Sequence, residues 1–254
     1  MGVLHSETRS RAGSPGVDLR RTAEVRQQRA GGIAALYLAA AYLVAMPYFL
    51  VVVDYPSLVE PGQKVAALVE HETSMYVMHL VTVVVFGIVL AVLALALWKR
   101  LAGAPGLAAA SAAVGLIWAG TLVASGLVFN FGAGAVVDLN ATSPAQAAAA
   151  WQAIEPVADG LGSGGGELLG GLWVLLVSIA ALHTGALPKA LNWLGILIGV
   201  AGIASVIPML LDARYVFGLL QILWFLWLGL TLLRTRTMEH PLGEPATSTM
   251  PATF

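Results

Sequence analysis

The stretch EHETSMYVMHL, Glu70 to Leu80, gathers the side chains of this sequence best able to bind a metal or move a proton. On a continuous helix Glu72, Met75 and His79 fall on one face at i, i+3 and i+7, and Thr82 and Phe86 extend the stripe. His79 would then lie about 8 Å inside the outer end of its apolar run, at roughly 1.5 Å per residue. At that depth an ionisable group turns to the bundle interior rather than to lipid, and is a functional candidate by default. A carboxylate and an imidazole at this spacing could begin a divalent-metal site or a proton relay. Two ligands do not complete a metal site, and Glu155, Asp159 and Glu167 are carboxylates that could join them across the outer surface. The candidate outer-face polar site is therefore Glu72, His79, Glu155 and Glu167, with Glu72 and His79 as the metal candidates. The plainer alternative is a hydrogen-bonded, structural His79.

A second stretch, GLGSGGGELLGG from Gly160, fits G-x-G-x-x-G in its first six residues. A dinucleotide fingerprint needs a strand ahead of it and a helix behind it within a βαβ unit, and no such unit surrounds this one. A different spacing suits the context better. Gly162, Gly166 and Gly170 recur every four residues, a pattern that lets a neighbouring helix approach closely. Glu167 lies beside that face at a helix N-terminus, where the positive end of the dipole favours a carboxylate.

Other chemistry is thin. His183 falls at the inner end of the fourth apolar run and His79 near the outer end of the second. They differ in depth by about 15 Å or more, which argues against a haem held between them. There are no cysteines, so disulfides, thiolate metal sites and cysteine nucleophiles are excluded. No G-x-S-x-G, H-E-x-x-H or P-loop motif is present, nor a D-x-D pair. Gln221, Trp224 and Leu228 share a face of the last run and read as packing.

The elements that must position these residues are apolar. Hydrophobic residues make up 58% of the 254 and charged residues 11%, against roughly 25% charged in soluble domains, and mean hydropathy is +0.83. A helix needs about 20 mostly apolar residues to cross a bilayer. Six runs reach or approach that length: Gly31 to Val53, Ser74 to Leu97, Leu107 to Phe129, Leu168 to His183, Leu191 to Leu211, and Val216 to Leu233. The first exceeds a signal-peptide core and is followed by no small-x-small site, so it reads as an anchor. Pro47 within it predicts a kink near Leu43 to Met46.

With the N-terminus cytoplasmic, the inner segments hold Arg9, Arg11, Arg20, Arg21, Arg26, Arg29, Lys99, Arg100, Lys189, Arg234 and Arg236. Only Lys64 and Arg214 lie outside, a bias that predicts six spans and cytoplasmic termini. Trp98 and Trp193 near inner ends, and Trp173 near an outer end, suit interfacial belts. The first outer loop, Asp54 to Thr73, contains a short amphipathic helix after Pro61 with Val65, Leu68 and Val69 on one face. The second, Asn130 to about Ser163, contains a helix that starts at Ser143-Pro144 and stops near Pro156 to Gly160. Residues 1–30 and 234–254 have the composition of disordered cytoplasmic segments flanking the 31–233 transmembrane domain.

The second half, ELLGGLWVLLVSIAALHTGALPKALNWLGILIGVAGIASVIP, resembles a bacterial family of uncharacterised six-helix integral membrane proteins, the domain of unknown function 4386. The resemblance lies in the Gly-Trp span, the loop ending in Leu187-Pro188 and the Leu-Gly span after Asn192. It implies a six-helix membrane fold over about residues 30–235 and supplies no activity, cofactor or catalytic residue. The expectation is an all-α polytopic bundle of six transmembrane helices with two short extracytoplasmic amphipathic helices, in a bacterial inner membrane. Its expected role is non-enzymatic: structural, regulatory or accessory, through a membrane-protein partner or a second copy. A small-molecule or ion transporter and an outer-face Glu/His metal protein or enzyme are the alternatives. No cofactor is predicted beyond that divalent metal. Neither nucleic acid, given the net charge of -1, nor a dinucleotide is an expected partner, and the bilayer is one.

Overall fold

A computed structural model describes the backbone of residues 15–162 and 167–234, and side chains from Ala23 onward. Among the described residues there are helices and turns and no strands. The helices are α1 (Pro15–Pro47), α2 (Pro61–Glu70), α3 (Glu72–His79), α4 (Phe86–Arg100), α5 (Pro105–Asn140), α6 (Pro144–Gly162), α7 (Leu168–Thr184), α8 (Lys189–Ala204) and α9 (Ala213–Arg234). Four continuous stretches are long and apolar enough to cross a membrane: Ala23–Val52, Glu72–Arg100, Pro105–Asn140 and Ala213–Arg234. Leu168–Thr184 and Lys189–Ala204 are apolar but shorter, about 25 Å each at 1.5 Å per residue.

All six predicted runs are helical in their cores, but their ends differ from expectation. α1 starts at Pro15 rather than near Gly31, so half of the segment expected to be disordered is helix; residues 1–14 and 235–254 lie outside the described residues. Pro47 is the last residue of α1, and the residues before it, Leu43 to Met46, are helical. Lacking an N–H, it ends the α ladder, and the chain continues as a wider π turn, Tyr48–Val52. The fifth run stops being helical at Ala204 because Pro208 opens a 3-10 turn, Pro208–Leu210.

The largest departure is α5. Its 36 residues extend about 54 Å, well beyond a hydrocarbon core of about 30 Å. The expected loop after Phe129 is about three further turns of α5, from which α6 folds back. GAGAVVDLN contains no proline, and Val136 is buried there against the cap. α6 passes through Pro156 because that residue and Gln152, whose carbonyl would have been its partner, lie on the exposed side of the helix.

Two apolar clusters result. The larger fills the bundle with Leu38, Leu90, Leu93, Leu97, Trp173, Val177, Trp224, Phe225 and Leu228, all at most 1% exposed. The smaller sits in a cap made by α2, α6 and the extension of α5 around Trp151, Met75, Val65 and Leu68. Val69 is 42% exposed, so the apolar face of α2 is Val65, Ala67 and Leu68 instead. Trp98 and Trp193 are exposed, whereas Trp173 is fully buried among aromatic rings and belongs to the core, not an interfacial belt.

The glycines pack differently from the expected single seam. Gly166 lies outside the described residues, and Gly162 and Gly170 fall on different helices. A Cβ at Gly162 would come 2.8 Å from Ser125 Cβ, and one at Gly170 2.7 Å from the Trp118 ring. The backbone-to-backbone approach is made by their neighbours: a Cβ at Gly171 would lie 2.8 Å from the Gly199 carbonyl oxygen and 2.8 Å from the Ile203 nitrogen. Close contact of α7 with α8 thus rests on Gly171, Gly199 and Gly202. At the end opposite the cap, Arg100 donates to the Ala186 carbonyl (3.0 and 3.2 Å) and to Gln28 Oε1 (3.3 Å), joining α1, α4 and the α7–α8 turn.

Candidate functional site: an aromatic cavity beneath the cap

The second continuous stretch changes ladder partway along. Between α3 and α4 lies a π turn, Leu80–Val85, and three side chains take up carbonyls around it. Thr82 Oγ1 donates to Met78 O (2.7 Å), Tyr37 Oη to Val81 O (2.6 Å) and Asn130 Nδ2 to Tyr76 O (3.2 Å). Such turns are frequent at functional sites. Here the turn keeps Met75, His79, Thr82 and Phe86 on one wall of a cavity of about 320 Å³, within the usual range of roughly 300–1,000 Å³ for ligand pockets.

The other walls come from α1 (Tyr42), the π turn after it (Phe49), α5 (Trp118, Leu122, Ser125, Phe129), α6 (Glu155, Ala158, Asp159) and Glu167 before α7. His79 is part of this aromatic wall. Its ring stacks on Phe129 with centroids 3.4 Å apart at 8°, and meets Phe49 edge-on at 4.9 Å. Nδ1 faces the Met75 carbonyl at 3.3 Å. A hydrogen bond there places the proton on Nδ1 and leaves Nε2 as the ring nitrogen available to a ligand.

The structure brings together three of the four predicted site residues: His79, Glu155 and Glu167 line one cavity. Glu72 does not join them. It is exposed and lines a separate depression between α3 and α5 with Tyr76 and Asn130, because its i+3 and i+7 neighbours turn inward while the first turn of α3 is still outside the bundle. Among the described residues no group of three or more His, Asp or Glu side chains is close enough to hold a metal ion. His183 is exposed at the far end of α7.

Glu155 is already engaged. Lys64 Nζ donates to both of its carboxylate oxygens at 2.7 Å, and Tyr55 Oη donates to Oε1 at 2.7 Å. Trp151 Nε1 donates to Tyr55 Oη at 3.0 Å, and Lys64 lies 5.4 Å from the Tyr55 ring centroid. This network fastens α2 and the preceding loop to α6. Burial, and then the hydrogen bond to Glu155, push the Tyr55 hydroxyl well above its ordinary range, so it stays a donor. Asp159 stands at the rim. Partial burial and the Glu155 carboxylate raise its carboxyl, opposed by Lys64 and Arg214.

Glu167 precedes the first residue of α7 and is held through its backbone: its N–H donates to Ser205 Oγ at 2.9 Å, and its carbonyl accepts from Gly171 N at 2.7 Å. Among the described residues its carboxyl has no hydrogen-bond donor. Burial raises that carboxyl to about 7, against the opposing influence of Arg214 on α9. A carboxyl in this state changes charge near neutral pH.

The aromatic wall also has a signal in the sequence. Trp118, Leu122, Ser125 and Phe129 recur at i, i+4, i+7 and i+11, and Tyr42 and Phe49 at i and i+7, each a single helical face. What no spacing revealed is that α6 folds back to close them from above, with Ser125 Oγ donating to Ala158 O at 2.7 Å.

Fold and site together define an all-α protein with apolar helices able to cross a membrane and a polar-tipped, aromatic cavity under a helical cap. No known protein family, curated protein or solved structure matches the chain, so the resemblance of its second half rests on the quoted residues alone.

Proposed function

We propose that this chain is a six-span bacterial inner-membrane protein with cytoplasmic termini, whose non-enzymatic, accessory role is to bind a small molecule from the outer side in the capped cavity. Support for the membrane comes from the exterior of the bundle. Ile33, Val44, Val51, Ile88, Ile117, Leu197, Val200 and Leu219 are each more than half exposed, and so apolar a perimeter is stable against lipid. α7 and α8 count as the two further spans because they are apolar along most of their length and joined by a tight turn with Gly185 in the left-handed region (φ 66°).

One observation carries binding over transport: the cavity ends on a packed floor. Beyond Phe86 and Trp118 lie Trp173, Trp224 and Phe225 in successive ring contacts 5.6 to 6.4 Å apart, followed by Leu90, Leu93, Val177 and Leu228 at 0% exposure. A transporter would need a polar path through that layer.

The absence of cysteine makes the test direct. Thr142→Cys, Ala102→Cys and Ser125→Cys would each be exposed to a small membrane-impermeant thiol reagent from one side of oriented vesicles. Thr142→Cys and Ser125→Cys should react only from the periplasmic side and Ala102→Cys only from the cytoplasmic side. Reaction of Ser125→Cys from both sides would overturn the binding reading in favour of transport, and reversed labelling of the other two would overturn the orientation.

A further inference from the structure

We propose that the cavity takes a small organic monocation with an apolar body, its charge set near Glu167 and Asp159 and its body against the rings of Phe129, Trp118 and Phe49. This deepens the binding reading above and rests on it.

The charges on the page select the sign. Among the described residues that line the cavity none is Lys or Arg, while three are acidic. Glu155 is matched by Lys64. That leaves Asp159 at the rim and Glu167 further in, with Arg214 on α9 acting on both from outside the lining. The partly buried Glu167 carboxylate has no donor among the described residues and lines a mostly apolar cavity, which is costly, and a ligand cation would relieve that cost. A ligand anion would add to it.

The walls select the body. Tyr42, Phe49, Phe86, Trp118 and Phe129 all contribute to the lining, and the faces of such rings attract a cation within about 6 Å of their centroids. His79, stacked on Phe129, adds a flat surface and one acceptor nitrogen. An alkylammonium with an apolar or aromatic substituent satisfies all of these at once. The same chemistry is offered by a free amine and by the quaternary headgroup of a lipid.

The test uses three probes of one shape in nanodiscs of phosphatidylglycerol: benzyltrimethylammonium, its uncharged carbon isostere neopentylbenzene, and phenylmethanesulfonate. Binding is read by titration calorimetry and by protection of Ser125→Cys from a thiol reagent. The cation should bind at least about tenfold more tightly than either competitor, a discrimination of roughly 1.4 kcal/mol. Glu167→Gln should remove most of that preference and leave the isostere unchanged, which also reports that the variant is folded; Asp159→Asn should do the same more weakly. The groups able to change charge around Glu167 are Asp159 and the Lys64–Glu155 pair, Tyr42 on α1, His79 on α3 and Arg214 on α9. Cation affinity should rise between pH 6 and 8, and the rise should vanish in Glu167→Gln.

Equal or tighter binding of the isostere or the sulfonate, or a cation preference untouched in Glu167→Gln, would overturn the ligand class and leave the pocket standing. Failure of all three probes to bind or to protect Ser125→Cys would overturn the pocket reading as well. Phosphatidylcholine added to the discs separates the sources. Loss of benzyltrimethylammonium binding there supports the cation site and assigns it to a lipid headgroup, and undiminished binding supports it and assigns a free amine.

Discussion

The bundle and the cap are both apolar inside, yet they cohere for different reasons. In the bundle, neighbouring helices meet over glycine and alanine. Gly171 lies against Gly199 and Gly202, and a Cβ at Gly87 would come 2.6 Å from the Ala119 carbonyl. In the membrane setting proposed above, lipid chains are as apolar as leucine, so burying leucine gains little and close packing has to provide the attraction. In the cap, large side chains surround Trp151, and a Lys64–Glu155 pair closes the edge, as expected where water drives burial. The cavity lies where these two kinds of packing meet. The cap roofs the bundle without filling it, and a polar-rimmed space remains.

Four changes would break or sharpen that contrast. Trp151→Ala should have the largest effect, about 3–5 kcal/mol for a buried tryptophan, confined to the cap. Hydrogen exchange should accelerate in α2 and α6 and leave α7 to α9 protected; equal loss in both regions would show that cap and bundle are one cooperative unit. Gly171→Ala should cost about 1–3 kcal/mol through overpacking and act on the bundle, lowering the unfolding temperature in detergent. Gly62→Ala is the control, since nothing lies within 4 Å of its position.

Lys64→Met should cost about 1–2 kcal/mol, because it leaves Glu155 partly buried with Tyr55 alone. Lys64→Met combined with Glu155→Gln should recover part of that, which a double-mutant cycle measures. The last change concerns pH. The Glu167 carboxyl rises from 4.5 to about 7 in the folded protein, so the folded state holds its proton more tightly than the unfolded state. Stability is then highest below 4.5 and falls as pH rises toward 7. The unfolding temperature should decline across that window, and Glu167→Gln should flatten the decline; an unchanged slope would separate Glu167 from it.

Much of this was legible in the residues, for identifiable reasons. The stripe Met75, His79, Thr82, Phe86 lines the cavity as its spacing required, even across a π turn. α2 starts at Pro61 and α6 at Pro144 because proline at a first helical position is a local signal, and at α2 Glu60 and Gln63 complete a capping box. Glu72 lies outside the cavity for a reason equally local: a helical face continues past the point where the bundle ends, and spacing alone does not say where that is. Glu155 could be placed near the site but not recognised as engaged, since its partner Lys64 is 91 residues away in sequence.

By itself, then, the sequence determined the helices, their apolar character and which residues share a face, because these depend on interactions within a few turns of one chain. Tertiary structure alone decided that α5 overshoots the bundle and α6 returns over it. It also decided that Glu167 and His79 line one cavity while Glu72 does not, and that α7 meets α8 over Gly171, Gly199 and Gly202. Those outcomes depend on how distant segments fill a shared volume, and no local spacing encodes that.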